Sequence, residues 1–242
     1  MMTRSFLNPL RTSLLLALLL AAACDTESTY IEPEGPRSVD NRYHPLRLGQ
    51  EYVYAYDSIV YRDFEQAVDT VRGQMRMRYT DTFREAGGPL IYRIARSYRP
   101  HDSAAWTPHS TWSAWRDSTE VIMQEGATPL VKIRYPLDTG RRWDGNRYHG
   151  LGNGDAIDEL RYGDAYEVVQ FREEATLGDA AYDTLFTVRQ VYDSTSVYTF
   201  HHYEVYARGV GMVVQYRKDS LSDQPEFPRG QIIRQRLLRY TP

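Results

Sequence analysis

Apolar and polar residues alternate one by one along most of the chain after residue 43. In the clearest stretch, residues 71–79, one set of alternate positions holds Val, Gly, Met, Met and Tyr, and the positions between them hold Arg, Gln, Arg and Arg. Successive side chains of a β-strand point to opposite faces, so this pattern predicts a strand with one apolar and one solvated face.

The same alternation predicts further strands, and the 20 tyrosines of the chain favour sheet over helix. The predicted strands span residues 51–61, 71–79, 90–98, 111–115, 121–124, 130–135, 166–172, 185–192, 198–206, 210–217 and 232–240. Turn residues such as Gly, Pro, Asn and Asp separate them. We therefore predict one all-β domain, a single antiparallel meander of eight to eleven strands that forms a barrel or a strongly curved sheet. Residues 156–160 are a candidate for a short helix.

The first 23 residues have the layout of a secretory signal peptide. Arg4 and Arg11 precede an unbroken run of small and apolar residues at positions 13–23, and no acidic residue is present. The run is about half as long as the roughly 20 apolar residues that a bilayer-spanning helix needs. It ends at Cys24, which is the only cysteine, so an internal disulfide is excluded.

The residues before this cysteine, Leu-Ala-Ala-Ala at positions 20–23, resemble the lipobox of bacterial lipoproteins. The resemblance implies that residues 1–23 are removed and that Cys24 is lipidated on sulfur and becomes the new N-terminus. Each buried methylene contributes roughly 0.8 kcal/mol, so two or three acyl chains would hold the protein durably at a membrane. The alternative is an ordinary signal peptide that is cleaved nearby and leaves a free thiol.

Residues 24–42 are predicted to form a flexible acidic tether between the lipidated cysteine and the β domain at residues 43–242. The segment is rich in Asp, Glu, Ser, Thr, Pro and Gly and has too few large apolar residues to build a core. Fully extended, the 17 residues 25–41 would reach roughly 50 Å, so the domain can stand clear of the lipid headgroups.

The charge balance argues against nucleic acid as a partner. The formal net charge of the chain is −3, and removal of Arg4 and Arg11 with the signal peptide makes the mature chain more negative still. Nucleic-acid-binding proteins carry a basic surface, which this composition does not indicate. Lys132 and Lys218 are the only lysines.

The run His201-His202-Tyr203-Glu204 is the sharpest candidate for chemistry. In a strand, His202 and Glu204 point to one face about 7 Å apart, close enough to share a metal ion if a neighbouring strand supplied a third ligand. The chain offers no second ligand pair with telling spacing. We therefore expect these side chains to lie on the exposed face of the sheet, with a metal-assisted hydrolase as the less favoured alternative.

Other candidate sites are weaker. Gly150, Gly152 and Gly154, with Asp155, Asp158 and Glu159 beside them, match neither a phosphate-binding loop nor a calcium loop, and they are expected to form a mobile loop. The chain has no Gly-x-Ser-x-Gly motif. We predict no catalytic residues, no cofactor and no metal, and hence a protein that is not an enzyme.

The four tryptophans could line an apolar cavity or a sugar-binding face. These residues are Trp106, Trp112, Trp115 and Trp143. Aromatic side chains in all-β domains serve more often in core and cross-strand packing, which is what we expect here.

Three further segments extend the lipoprotein resemblance. They are residues 43–54, which begin Tyr-His-Pro-Leu, residues 142–146, Arg-Trp-Asp-Gly-Asn, and residues 206–211, Tyr-Ala-Arg-Gly-Val-Gly. Together with the lipobox, they look like uncharacterised lipoproteins of Bacteroidetes-type bacteria. The resemblance spans nearly all of the mature chain and supports the location and the fold. That family has no assigned activity, so the resemblance implies no catalytic residues.

The sequence therefore predicts a lipid-anchored protein of the bacterial cell envelope, with the outer membrane as the favoured location. Its concave sheet face is predicted to bind an apolar ligand or another envelope component. The alternative is a structural or assembly protein that acts through protein contacts. A dry cavity lined by Trp and Tyr would favour the first function, and a filled core with an exposed apolar patch would favour the second.

Overall fold

The computed structural model describes residues 41–62, 64–148, 165–221 and 229–242, all within the compact unit Gly35–Pro242. The predictions on the signal peptide, on Cys24, on most of the tether, on the glycine-rich loop and on the helix at 156–160 lie outside these residues. Within them, no helix is long and apolar enough to cross a membrane.

The described chain forms twelve β-strands after a single 3-10 turn at Asn41–Tyr43. The strands are β1 (Glu51–Arg62), β2 (Ala67–Arg84), β3 (Leu90–Arg99), β4 (Thr107–Arg116), β5 (Glu120–Glu125), β6 (Thr128–Arg134), β7 (Arg142–Trp143), β8 (Tyr166–Leu177), β9 (Ala180–Ser194), β10 (Tyr198–Ala207), β11 (Gly211–Leu221) and β12 (Arg229–Thr241). All eleven predicted strands are present. The sequence missed β7, because two residues are too few to show alternation.

All twelve strands belong to one antiparallel sheet in the order β6-β5-β4-β3-β2-β1-β12-β11-β10-β9-β8-β7. Strands that follow each other in the chain pair side by side, except β6 and β7, which lie at opposite ends of the sheet. In addition, β1 pairs with β12 and joins the two halves. This confirms the predicted all-β meander.

Hydrogen bonds between the two ends of the sheet bring it close to a closed barrel. The indole Nε1 of Trp143 in β7 donates to the carbonyl oxygen of Val131 in β6 at 2.7 Å, and the amide of Val131 donates to the carbonyl oxygen of Gly145 at 2.9 Å. Gly145 permits this approach, because a Cβ at that position would lie 2.4 Å from the ring of Tyr166. The contact satisfies backbone groups that an open sheet edge would leave unpaired.

The curled sheet encloses an interior packed mainly with apolar side chains. The core includes Tyr52, Tyr54, Met77, Tyr79, Ile94, Val121, Ile133, Trp143, Val188, Phe186 and Tyr206. The predicted apolar face of residues 71–79 is buried at Met75, Met77 and Tyr79. The prediction of an apolar buried face is wrong at Val71, which is 43% exposed, because residues 67–74, next to the β1–β2 turn, are all exposed or half-buried.

The tryptophans serve in packing, as expected. Trp143 is buried in the core, and Trp112 and Trp115 are partly buried and pack against the core. Trp106 contacts two guanidinium groups, with the carbon centres of Arg76 and Arg99 at 4.6 and 4.4 Å from its ring centroid. Such cation–π contacts contribute about 0.5–1 kcal/mol at exposed sites.

Candidate functional site

Strand β10 divides its candidate residues between the two faces of the sheet. His202, Glu204 and Tyr206 point into the interior, and His201, Tyr203 and Val205 point to the outer face. The prediction that His202 and Glu204 lie on an exposed face is wrong, since their exposed fractions are 6% and 0%. Period-two alternation separates the two sets but does not say which set is enclosed, and here the more polar set is inside.

Glu204 forms a buried ion pair with one of the two lysines. The Nζ of Lys132 in β6 lies 2.5 Å from Oε1 of Glu204 and 2.8 Å from Oε1 of Glu125 in β5. Tyr206 donates its hydroxyl hydrogen to the other oxygen of Glu204 at 2.5 Å, and Nε2 of Gln215 donates to Oε1 at 3.0 Å. One buried carboxylate is thus held from three strands.

The surroundings keep this pair ionised. Burial alone would raise the pKa of Glu204, but the ammonium of Lys132 and the hydrogen bonds of Tyr206 and Gln215 outweigh it, and the pKa of Glu204 is lowered. Burial alone would lower the pKa of Lys132, but the carboxylates of Glu125 and Glu204 raise it. Both groups therefore carry their charge near neutral pH.

A second buried charge cluster lies on the neighbouring residues of β10 and β11. Nε2 of His202 is 2.8 Å from Oδ1 of Asp219, and Nε of Arg217 donates to Oδ2 of Asp219 at 2.8 Å. Burial would raise the pKa of Asp219, but His202 and Arg217 lower it well below its usual value. His202 and Glu204 thus take separate partners and do not share a ligand. In the described part of the chain, no three His, Cys, Asp or Glu side chains converge as a metal site would require.

Among the described residues, two cavities in the interior are too small for an organic ligand. A cavity of about 40 Å³ lies beside Lys132 and His202, and another of about 10 Å³ lies between His44 and Tyr206. Ligand pockets occupy about 300–1,000 Å³. Cavities of the size found here hold at most a few waters.

Residues of the lipoprotein resemblance help to fill this interior. Tyr43, His44 and Leu46 are buried, and the ring of Tyr43 meets that of Phe186 edge-on at 4.9 Å. Burial lowers the pKa of His44 to about 4, so its ring is neutral near pH 7. Tyr43 and Leu46 stabilise the barrel through apolar packing.

A larger groove, of about 380 Å³, lies on the outer face over β8 to β11. Its apolar wall consists of Val169, Leu177, Val205 and Val214. The volume falls within the range of small-molecule sites. In the described part of the chain, this groove is far larger than either interior cavity.

The groove exists because the β8–β9 hairpin bends across the outer face. The pairing of β8 with β9 shifts register between Val168 and Gln170, and Glu174 adopts a positive φ of 46°, so β8 is bent. At the hairpin turn, a Cβ on Gly178 would lie 2.8 Å from Nη1 of Arg236 in β12. Leu177 packs there into a second apolar cluster that contains Leu185, Val205 and Val213.

Aromatic and cationic side chains complete the groove. Tyr203 stacks on Tyr216 of β11 with ring centroids 5.2 Å apart, and the ring of His201 lies 5.2 Å from that of Tyr203. Arg189 donates to the carboxylate of Glu167 at 2.7 Å, and Arg172 is the second cation of the lining. The sequence highlighted the His201–Glu204 run, but no local signal shows that a distant hairpin folds over it.

The geometry defines an all-β protein with a nearly closed barrel, an ion-paired interior and an outer groove. The chain matches no protein-family model and no curated protein. Among solved structures, it is similar to a Bacteroides fragilis protein described as a "putative exported protein with YmcC-like fold", with 12% sequence identity and a TM-score of 0.37. The match covers 82% of this chain and 98% of that one. At this level, the likeness supports no statement about the function of either chain.

Proposed function

We propose that this chain is an exported protein of the bacterial cell envelope, anchored by lipid at Cys24, whose β domain is a non-enzymatic binding module. The observation that carries the proposal is the outer groove of about 380 Å³, which is far larger than the two interior cavities of about 40 and 10 Å³ that described residues line. The ligand site is therefore the outer face of β8 to β11, and not the concave interior that the sequence suggested. The signal-peptide layout and the single cysteine support export and anchoring.

The chemistry of the groove supports binding rather than catalysis. His201 is the one imidazole in its lining, and no carboxylate of that lining orients it. Burial and the neighbouring cations lower the pKa of His201, so the ring is neutral near pH 7. In the interior, the buried carboxylates of Glu204 and Asp219 are engaged by cations or by the His202 ring. These groups stabilise the fold and are not available to a substrate.

Protein contacts are the second candidate function, and the β1–β2 hairpin favours it. Phe64, Val68 and Val71 lie near its tip with exposed fractions of 100%, 50% and 43%. Val68 and Val71 are three positions apart on β2 and point to opposite faces, so the candidate contact surface is the hairpin tip around Phe64 and Val68. This surface is separate from the groove, so the two functions can be tested independently.

Anchoring is tested with Cys24→Ser. We expect the variant to leave the membrane fraction for the soluble fraction of a cell lysate, because it lacks the sulfur that carries acyl chains. Fractionation followed by immunoblotting measures the change, and mass spectrometry of the wild-type chain should show added acyl mass on Cys24. Membrane association that persists in the variant would overturn the anchor.

The groove is tested with Thr187→Trp, which places an indole in its lining. We expect native mass spectrometry of the full wild-type chain, purified from envelopes, to show a bound small molecule. In Thr187→Trp, the fraction of the chain that carries this molecule should fall at least tenfold. Thr111→Trp is the matched control, because Thr111 is exposed on β4 away from the groove, and it should retain the molecule. A bare wild-type chain, or equal loading of both variants, would contradict the proposed groove.

A further inference from the structure

We propose that the ligand of the outer groove is a free single-chain amphiphile with one acidic head group, which pairs with Arg172. This inference rests on the proposed binding function and names the chemical class of its ligand. It follows from the charge, the apolar wall and the volume of the groove.

The charge of the lining is positive and incompletely neutralised. Arg172 and Arg189 line the groove, and no acidic residue does. Arg189 is paired with Glu167, which Arg142 also approaches at 3.7 Å, so one carboxylate serves two guanidinium groups. Arg172 is half-buried and has no ion pair or hydrogen bond from its side chain among the described residues.

A half-buried cation without a counter-ion favours an anionic ligand. Arginine binds a carboxylate or a phosphate through two parallel hydrogen bonds, and such charge-assisted bonds are about twice as strong as neutral ones. The mature chain is acidic as a whole. A cationic groove on an acidic protein therefore selects an anion by local pairing and not by overall charge.

The rest of the wall requires an apolar body on the same molecule. Val169, Leu177, Val205 and Val214 line the groove together with the ring of Tyr203. A small polar anion would leave this surface wet, whereas an acyl chain would cover it. The volume of about 380 Å³ lies near the lower end of ligand pockets, which suits one chain better than a two-chain phospholipid.

The proposal is tested by titration of octanoate and of its neutral isostere octanamide into the full chain held in phosphatidylcholine nanodiscs. Empty nanodiscs provide the blank for partition into lipid. We expect octanoate to bind at least tenfold more tightly than octanamide, because only the acid forms a charge-assisted pair with Arg172. In Arg172→Gln, octanoate and octanamide should bind with about equal affinity, and the octanamide affinity should be the same as in the wild type.

Arg78→Gln is the matched control, since Arg78 is exposed on β2, outside the groove, and it should keep the tenfold preference. Equal binding of both probes, or a preference that survives Arg172→Gln, would overturn the acidic head group and leave the groove as a ligand site. Binding of neither probe, together with a bare native mass, would overturn the groove as well. Loss of octanoate binding when phosphatidylglycerol is added to the nanodiscs would identify a lipid headgroup as the occupant and overturn the free amphiphile.

Discussion

Lys132→Met is expected to lower the free energy of unfolding by about 3–5 kcal/mol. Met preserves much of the volume of the lysine stem but removes the ammonium that lies 2.5 Å from Glu204. Glu204 is fully buried, so the substitution leaves a carboxylate without its counter-ion in a medium that solvates it poorly. Urea unfolding of the wild type and the variant, followed by far-UV circular dichroism, measures the loss.

The other lysine provides the matched control. Lys218 is half-buried on β11, and Lys218→Met should change the free energy of unfolding by no more than about 0.5 kcal/mol. Glu204→Gln added to Lys132→Met should restore part of the lost stability, because it removes the uncompensated charge. Equal losses in Lys132→Met and Lys218→Met would show that the buried pair does not contribute as the geometry indicates.

Trp143→Ala is expected to lower the free energy of unfolding by a comparable amount, about 3–5 kcal/mol. The side chain is 3% exposed, and its indole is one of the groups that join the two ends of the sheet through Val131. Its removal leaves a cavity and deprives the carbonyl of Val131 of a donor. Relative to the wild type, amide hydrogen exchange should therefore accelerate more in β6 than in β1 and β12, which lie in the middle of the sheet.

Trp143→Phe separates the two contributions. It keeps most of the apolar volume and loses only the hydrogen bond to Val131, so a smaller loss of about 1–3 kcal/mol is expected. Trp106→Ala is the control for a tryptophan outside the core, and it should cost less than Trp143→Ala. If exchange rose uniformly in all strands of Trp143→Ala, the residue would contribute to general packing and not to closure of the barrel.

The sequence does not show which polar side chains are buried or which residues pair with them. The polar residue types single out the His201–Glu204 run and predict that His202 and Glu204 are exposed, whereas the structure buries both. Lys132 received no role, although it is the partner of Glu204. The two residues are 72 positions apart in the chain, and only the curling of the sheet brings β6 and β10 together across the interior.

The amino-acid sequence by itself determined the all-β class, the antiparallel meander and the positions of eleven of its twelve strands. These features depend on side-chain alternation and on turn residues, which act over a few neighbouring positions. Only the tertiary structure decided which face is enclosed, how β6 and β7 meet, and where a ligand can bind. Those outcomes depend on contacts that local alternation does not encode. Examples are the contact of Trp143 with Val131, which lies 12 positions away on the opposite edge strand, and that of Gly178 with Arg236.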